Sequence, residues 1–454
     1  MTSNVELARA DGALASPKGM GDLLPPDAAA RRALASSVLS CFELCGYELV
    51  TPPVFEHAEV MQRGNGELEN RDLFRFVEPE TGEVAVLRPD ITPQIARIVA
   101  TQLADRATPI RLSYEGRIFR RQRGRARSHR HISQVGVECV GLGEVEGDTE
   151  VLSLAIRACE QVGLRDFRVE LTDIRLVRSL LQGVPEAARS ALSETLAQKD
   201  AAALGAIAKN RGVSRELAQQ LTALIECYGE RDVLDAAAKR FRSPDARAAL
   251  RSLRLITDAL YELGVGPRIC FDLSETRGLS YYTGMRFCIL AHGPGEELGS
   301  GGRYDSLLGR FGADLPATGF ALDLGNLQWT LREQGGAELP RSAPRIVVGG
   351  GDRQRRQASA DRLRAAGLIA AGLPDSDPAR CLAFARSWGY DAVLLLTRGS
   401  QRLLRVLDDS SGVASQALRG GAASDEFLTE VDPERVRRML REPGNKRAAQ
   451  RAKD

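Results

Sequence analysis

The sequence predicts an α+β protein: a mostly antiparallel sheet flanked by helices, with a helical insertion and a small α/β domain after it. Three observations predict this. Segments with strand character recur from Tyr47 to Leu171 and again from Arg268 to Tyr304, whereas Leu176–Leu263 is rich in Ala, Leu and Arg and nearly free of strand signals. In Ser133–Val140, the apolar Val135, Val137 and Cys139 alternate with Gln134, Gly136 and Glu138, the period of a strand with one buried face. Residues 345–430 alternate strand and helix patterns, as a small α/β unit does.

Taken in order, residues 1–16 read as a disordered leader, and G-M-G-D-L-L-P-P at 19–26 as a turn-rich lead into a helix. Asp27–Cys45 has Leu34, Val38 and Phe42 four residues apart, a helical stripe that Gly46-Tyr47 breaks. Tyr47–Phe55 reads as a strand whose Pro52 and Pro53 belong at an edge or interface. Phe74–Val77 and Val84–Leu87 form a hairpin across E-P-E-T-G-E, and a helix runs from Gln94 to about Leu103. Strands are expected at Arg111–Arg121, Ile132–Gly141 and Phe167–Leu171, with a helix at Asp148–Val162. The insertion, 176–263, holds about four or five helices. Strands return at Arg268–Leu273, Tyr281–Leu290 and Gly299–Tyr304, and a helix is expected from about Gly319. A Gly- and Pro-bearing linker at Glu333–Pro344 leads to the last unit, with strands at Arg345–Val348 and Ala392–Leu396 and helices at Gln357–Ala366 and Ala379–Trp388. The tail, 443–454, reads as disordered.

Composition excludes several classes. Apolar content of 43% and charged content of 27% are those of an ordinary globular protein, and 62 basic against 60 acidic residues leave a net charge of +2, so no global basic field marks a nucleic-acid binder. No run of about 18 apolar residues appears, and the N-terminus lacks a basic-then-apolar signal, which makes the cytoplasm the expected location and a membrane partner unexpected. The eight cysteines are scattered without zinc spacing, and two of only four histidines lie in one arginine-rich loop, so no metal and no cofactor is expected.

The stretch Arg117–Glu138 (R-I-F-R-R-Q-R-G-R-A-R-S-H-R-H-I-S-Q-V-G-V-E) joins seven arginines to a polar strand face. An amide at Gln134, a gap at Gly136 and a carboxylate at Glu138, beside guanidinium groups, suit a small polar ligand with amino or imidazole nitrogens and an anionic part. A solvated basic loop is the plainer reading of the arginines. Asp90 and Thr92 in R-P-D-I-T-P can cap the following helix or bind an ammonium group. Arg277, Tyr281 and Tyr282 in R-G-L-S-Y-Y can pack at a strand edge or line a site. Gly299–Gly302 offers close backbone approach, but no Walker loop, nucleophile elbow or paired metal motif is present.

In succession these segments, with G-Y-E-L-V-T-P-P at 46–53, G-G-R-Y-D at 301–305 and A-T-G-F-A-L at 317–322, resemble the histidyl-tRNA synthetases over residues 17–335. L-R-P-D-I-T-P-Q-I-A-R at 87–97 and F-R-R-Q at 119–122 are similar to a paralogous family, the regulatory subunits of ATP phosphoribosyltransferase. The resemblance implies a class II aminoacyl-tRNA synthetase-like core over 17–175 and 264–335, with 176–263 inserted. It implies that Arg120 grips an α-phosphate or other anion and that Arg277 matches the catalytic arginine of the synthetases. It also implies a histidine pocket built of Asp90, Thr92, Gln134, Glu138, Arg277, Tyr281 and Tyr282. Asp90 stands where a synthetase usually carries Glu, one methylene longer. The arginine that meets the terminal phosphates falls on Ser128, and the motif 3 arginine on Asn326, which neither stacks on adenine nor neutralises phosphate as guanidinium does. Each such loss costs roughly 10²–10³ in rate.

A kept histidine pocket beside a damaged ATP pocket implies a sensor, with no catalytic residue of its own. The resemblance therefore implies a non-catalytic regulatory subunit, required for the first step of histidine biosynthesis, with a short-form ATP phosphoribosyltransferase (a glycosyltransferase) as catalytic partner and histidine as feedback effector. A homodimer through the strand around Pro52-Pro53, within a hetero-oligomer, is also implied. Residues 345–430 resemble an anticodon-binding domain, but Asp408-Asp409 and Asp425-Glu426 argue against tRNA as a partner. The alternatives are a working histidyl-tRNA synthetase and an RNA- or phosphate-binding module using the arginine-rich loop.

Overall fold

The computed structural model describes residues 16–17, 19–69, 73–120, 130–279, 281–335, 343–397, 400–406, 426–428 and 432–441. In chain order the elements are α1 (Asp27–Leu44), β1 (Glu48–Leu49), β2 (Phe55–His57), α2 (Ala58–Glu69), β3 (Phe74–Val77), β4 (Val84–Leu87), α3 (Thr92–Gln102), β5 (Ile110–Phe119), β6 (His131–Val140), α4 (Glu144–Gln161) and β7 (Arg168–Asp173). There follow α5 (Ile174–Leu181), α6 (Glu186–Ala197), α7 (Ala201–Asn210), α8 (Arg215–Ile225), β8 (Tyr228–Gly229), α9 (Asp232–Arg240) and α10 (Pro244–Glu262). The sheet resumes with β9 (Ile269–Asp272), β10 (Met285–Leu290), β11 (Gly299–Arg303), the short α11 (Ser306–Gly309), β12 (Ala317–Asp323) and α12 (Leu324–Glu333). Last come β13 (Arg345–Gly350), α13 (Arg353–Ala365), β14 (Ile369–Leu373), α14 (Pro378–Ser387), β15 (Ala392–Thr397), β16 (Ser400–Arg405), β17 (Glu426–Leu428) and α15 (Pro433–Arg441).

The chain divides into two compact units, residues 1–22 with 34–337, and residues 23–33 with 338–454. The first is organised on a nine-stranded sheet in the order β1-β5-β6-β12-β11-β10-β7-β9-β8, antiparallel except at β1/β5 and β7/β9. Its core beside the candidate site joins Ile91, Ile95 and Val99 of the α3 segment to Ile110, Leu112, Tyr114 and Ile118 of β5 and to Tyr304, Leu307 and Leu308. A second, three-stranded sheet, β2-β4-β3, lies beyond Pro52-Pro53. The two prolines thus divide the expected Tyr47–Phe55 strand into β1 and β2, which belong to different sheets.

Three further sequence expectations change. The segment from Gly319 is the strand β12, not a helix, because it lies between β11 and β6 and pairs with both. The helix begins only where the Asp323 carboxylate accepts from the backbone N–H groups of Gly325 and Asn326. The insertion holds six helices, α5 to α10, and also β8, which extends the main sheet beside β9. Several helices start on side-chain caps: Asp173, Asp200, Ser214 and Ser243 each accept a backbone N–H. Finally, residues 281–284 are a turn, and the strand expected from Tyr281 begins at Met285.

The second unit is built on a five-stranded sheet, β14-β13-β15-β16-β17, parallel over its first three strands. One face buries Ile346, Val348, Leu363, Leu394 and Val436, and the other Val347, Cys381, Val393 and Leu395. Both faces are covered, which is why the central strands β13 and β15 read as nearly continuous apolar runs. Among the described residues no helix is long and apolar enough to cross a membrane. All eight cysteines are unpaired, seven buried and Cys45 exposed.

Candidate functional site

Glu138 lies near the end of β6 and is only 2% exposed. Three hydroxyl groups from three other parts of the chain donate to it. Thr92 Oγ1 at the start of α3 reaches Oε1 at 2.6 Å, Tyr114 Oη from β5 reaches the same oxygen at 3.3 Å, and Tyr304 Oη after β11 donates to Oε2. Burial drives the Glu138 carboxyl well above the usual carboxylate range, with the nearby charge of Asp90 adding to it and the bonds from Thr92 and Tyr114 opposing. Burial likewise raises the phenols of Tyr114, Tyr281 and Tyr282, so all three stay protonated as donors.

Two glycines make this arrangement possible. A Cβ on Gly136 would lie 2.6 Å from Tyr114 Oη, so the ring of Tyr114 occupies the gap that the sequence pattern places between Gln134 and Glu138. The row on this face is therefore amide, phenol, carboxylate. A Cβ on Gly319, paired opposite Glu138 in β12, would lie 1.9 Å from Oε2 and 2.4 Å from the Val137 carbonyl.

The turn 277–282 supplies the adjoining wall. Arg178 of α5 donates to the carbonyls of Leu279 and Tyr282, both at 2.7 Å, and so fixes the turn. The Tyr281 ring packs against Tyr282 and Tyr304, with centroids 5.0 and 5.2 Å apart. The Tyr281 hydroxyl is buried and has no hydrogen-bond partner among the described residues, an open donor and acceptor beside the ring whose own hydroxyl serves Glu138.

Asp90 is half-buried, and its Oδ1 accepts from the backbone N–H of Thr92 at 3.1 Å. It thus closes the turn before α3, while the Thr92 hydroxyl serves Glu138 instead of capping the helix. Arg120 donates from Nε to the Pro89 carbonyl at 2.8 Å and sets a terminal nitrogen 3.7 Å from Asp90 Oδ2. Gln134 is half-buried two positions along the same face from Gly136. The structure therefore gathers Asp90, Thr92, Glu138, Tyr281 and Tyr282 into one cluster, with Arg120 at its Asp90 end.

Arg277 belongs to a different group. Its Nε donates to Glu275 Oε2 at 2.8 Å, and its Nη1 lies 3.8 Å from Glu297 Oε2. Asn326 on α12 donates its amide to the Glu297 carbonyl at 3.0 Å, a structural bond from the helix to the loop that leads to β11. Ser128 and the loop arginines 121–127 lie outside the described residues, as do Ser280, Asp408, Asp409 and Asp425. Glu170, Asp272 and Glu275 bring carboxylate oxygens within 4.8 Å of one another, but Lys199 holds Asp272, and Arg277 and Arg286 hold Glu275. The chain's own cations thus pair with two of the three.

Tyr114 and Tyr304 are the site residues the pattern reading misses. Tyr304 lies inside the quoted G-G-R-Y-D motif, which was a usable signal. Tyr114 looks like any core residue of an alternating strand. The most conspicuous residue of that motif, Arg303, is 1% exposed and structural: it pairs with Asp148 and Asp305 and donates to the carbonyls of Leu142 and Gly143.

Comparisons with known proteins bear on the family of the chain. The histidyl-tRNA synthetase family model matches residues 19–327. An ATP phosphoribosyltransferase regulatory subunit from Moorella thermoacetica is 37% identical over 374 residues, 78% of this chain and 96% of its own. Another from Anaeromyxobacter dehalogenans is 41% identical over 317 residues, 68% of this chain and 89% of its own. Among solved structures, an ATP phosphoribosyltransferase regulatory subunit/histidyl-tRNA synthetase from Bacillus halodurans superposes with a TM-score of 0.73 at 28% identity, covering 84% of this chain and 98% of that one. The histidyl-tRNA synthetase of Nostoc sp. PCC 7120 has a TM-score of 0.74 at 21% identity over 94% of this chain and 99% of its own, a likeness of fold.

Proposed function

Because the chain belongs to the ATP phosphoribosyltransferase regulatory subunits, within the wider histidyl-tRNA synthetase family, we propose that it is a non-catalytic subunit of that transferase and its histidine sensor. It assembles with a catalytic chain that lacks a regulatory domain of its own, and it serves the first step of histidine biosynthesis in the cytoplasm. Histidine binds in the cleft at Glu138 and signals feedback inhibition.

The observation that carries the histidine site is the buried Glu138 carboxylate, ringed by the hydroxyls of Thr92, Tyr114 and Tyr304, beside the unpartnered hydroxyl of Tyr281. A carboxylate and a phenol can meet the two nitrogens of an imidazole and leave an isosteric apolar ring with unpaired polar groups against it. Asp90, with one oxygen committed to the Thr92 turn, keeps a second for an α-amino group. Arg120, half-exposed beside it, suits the carboxylate end of the same amino acid.

Feedback requires histidine to prefer one assembly state over another. An exposed apolar set around the proline edge, including Leu49, Val54, Phe55, Val77 and Val84, supports a homodimer within the larger assembly. The test is twofold. The purified chain should co-elute with the catalytic transferase and restore its activity. Histidine titrated calorimetrically should bind wild type, and Glu138→Ala should lose both that heat and the feedback. Retention of inhibition by Glu138→Ala would remove this pocket as the sensor. Arg120 and Arg277, both present, favour a second reading, residual histidine activation. Absence of histidine-dependent pyrophosphate exchange eliminates it.

A further inference from the structure

Beyond the histidine cleft, the same sheet face carries a group of charges that the proposed function does not use. Arg286 of β10 is 4% exposed and paired in register with Thr172 of β7. Its guanidinium lies 3.6 Å from Glu275 Oε2 on one side and 3.6 Å from Glu297 Oε2 on the other. Arg277, half-exposed above it, bonds to the same Glu275 oxygen and approaches the same Glu297 oxygen. Two arginines and two glutamates thus share their charges in one closed set.

From the insertion, Lys199 reaches down to Asp272 and Ser274, and Thr276 Oγ1 donates to the Ser193 carbonyl at 3.0 Å. The segment 272–277 is therefore pinned at both ends of Glu275. Lys199 holds a φ of 59°, the one positive value outside glycine among the described residues, as the left-handed residue that ends α6, its N–H and that of Asp200 bonding back to the carbonyls of Leu196 and Thr195.

The arginines are not saturated. Arg286 Nε and, across the register, Thr172 Oγ1 make no hydrogen bond, nor does Glu297 Oε2. Donors that an anion would use remain, and what stands against an anion is charge. Burial would raise the Glu275 carboxyl, but Arg277 and Arg286 outweigh it and hold it at about 2, so it stays ionised at any working pH.

We propose that Glu275 and Glu297 are built-in counter-anions that close the Arg277–Arg286 pair to polyphosphates. They act as specificity-determining residues, each set against both arginines. This rests on the reading of the chain as non-catalytic and adds the reason the phosphate side is silent. A phosphate group entering here would meet two carboxylates beside the guanidinium groups it seeks, a like-charge contact that disfavours it.

The experiment titrates the full-length chain with inorganic pyrophosphate and with ATP by calorimetry, for wild type, Glu275→Gln, Glu297→Gln and the double variant. Wild type should give no saturable heat, and the double variant should bind pyrophosphate at least about tenfold more tightly, in a salt-dependent manner. Saturable binding by wild type overturns the proposal, as does silence from variants whose thermal unfolding stays cooperative. If the buried Glu275→Gln fails to fold, Glu297→Gln, at a one-third exposed side chain, decides by the same criterion. Histidine titrated into wild type is a separate readout. Its failure would count against the sensor and leave the exclusion of polyphosphate standing.

Discussion

The hydroxyl of Thr92 donates to Oε1 of Glu138 at 2.6 Å, joining the first residue of α3 to the end of β6 across 46 positions of sequence. A helix start and a strand end are thereby locked to one another at the floor of the cleft. Asp90, holding the Thr92 backbone N–H, sets the geometry of that lock. Changes at either residue should be felt by a ligand that touches only one of them.

Thr92→Val keeps the shape and removes the donor. With a buried carboxylate deprived of one of its partners, histidine affinity should fall about tenfold, and Thr92→Ser should recover most of it. Isothermal titration of the three proteins checks this; equal affinities would show that Thr92 only begins the helix.

Glu138 should couple binding to protons. Its carboxyl is raised by burial, so the free site holds a proton over a range where an exposed glutamate does not. A ligand that donates N–H bonds to the carboxylate lowers that value and drives the proton off. The heat of histidine binding should therefore vary with the ionisation enthalpy of the buffer, and the variation should shrink in Glu138→Gln. The same sign governs stability: a raised acid destabilises the fold as pH climbs from the ordinary carboxylate range toward the raised value. Glu138→Gln should flatten the fall of Tm with pH across that window.

Gly319→Ala should be severe for so small a change. The new methyl would lie 1.9 Å from Glu138 Oε2 and 2.4 Å from a backbone carbonyl in the middle of the sheet. Overpacking of this kind costs about 1–3 kcal/mol, and here it would displace the carboxylate as well. Thermal unfolding should show the loss, and histidine binding should disappear.

Arg303→Lys tests the motif residue assigned to structure. The guanidinium meets Asp148, Asp305 and two carbonyls, a geometry an ammonium cannot reproduce. Burial, outweighing Arg303, already raises the Asp148 carboxyl to about 7, so weakening its partner leaves a poorly compensated buried acid. A loss of about 3–5 kcal/mol in denaturant unfolding is expected.

Much of the cleft was legible because a strand has a period of two: Gln134, Gly136 and Glu138 share a face whatever the rest of the fold does. The helix α3 was legible to within two residues, expected from Gln94 and beginning at Thr92, but the cap that Asp90 and Thr92 offered is not made. The strand β12 was not. Most of its residues are buried, and A-T-G-F-A-L shows no alternation to tell it from a buried helix.

The sequence by itself determined the class of the protein, most of its strands and the face of β6 that carries Glu138, because patterns of near neighbours carry that information. Only the tertiary structure decided what surrounds Glu138. Tyr114 and Tyr304 reach it from positions 24 and 166 residues away, and Gly319 makes room for it from the facing strand. It also decided that Arg277 is spent on Glu275 and Glu297 instead of facing the cleft unpaired. Charge cancellation of that kind depends on distances of a few ångströms between strands and loops, and no spacing along the chain encodes it.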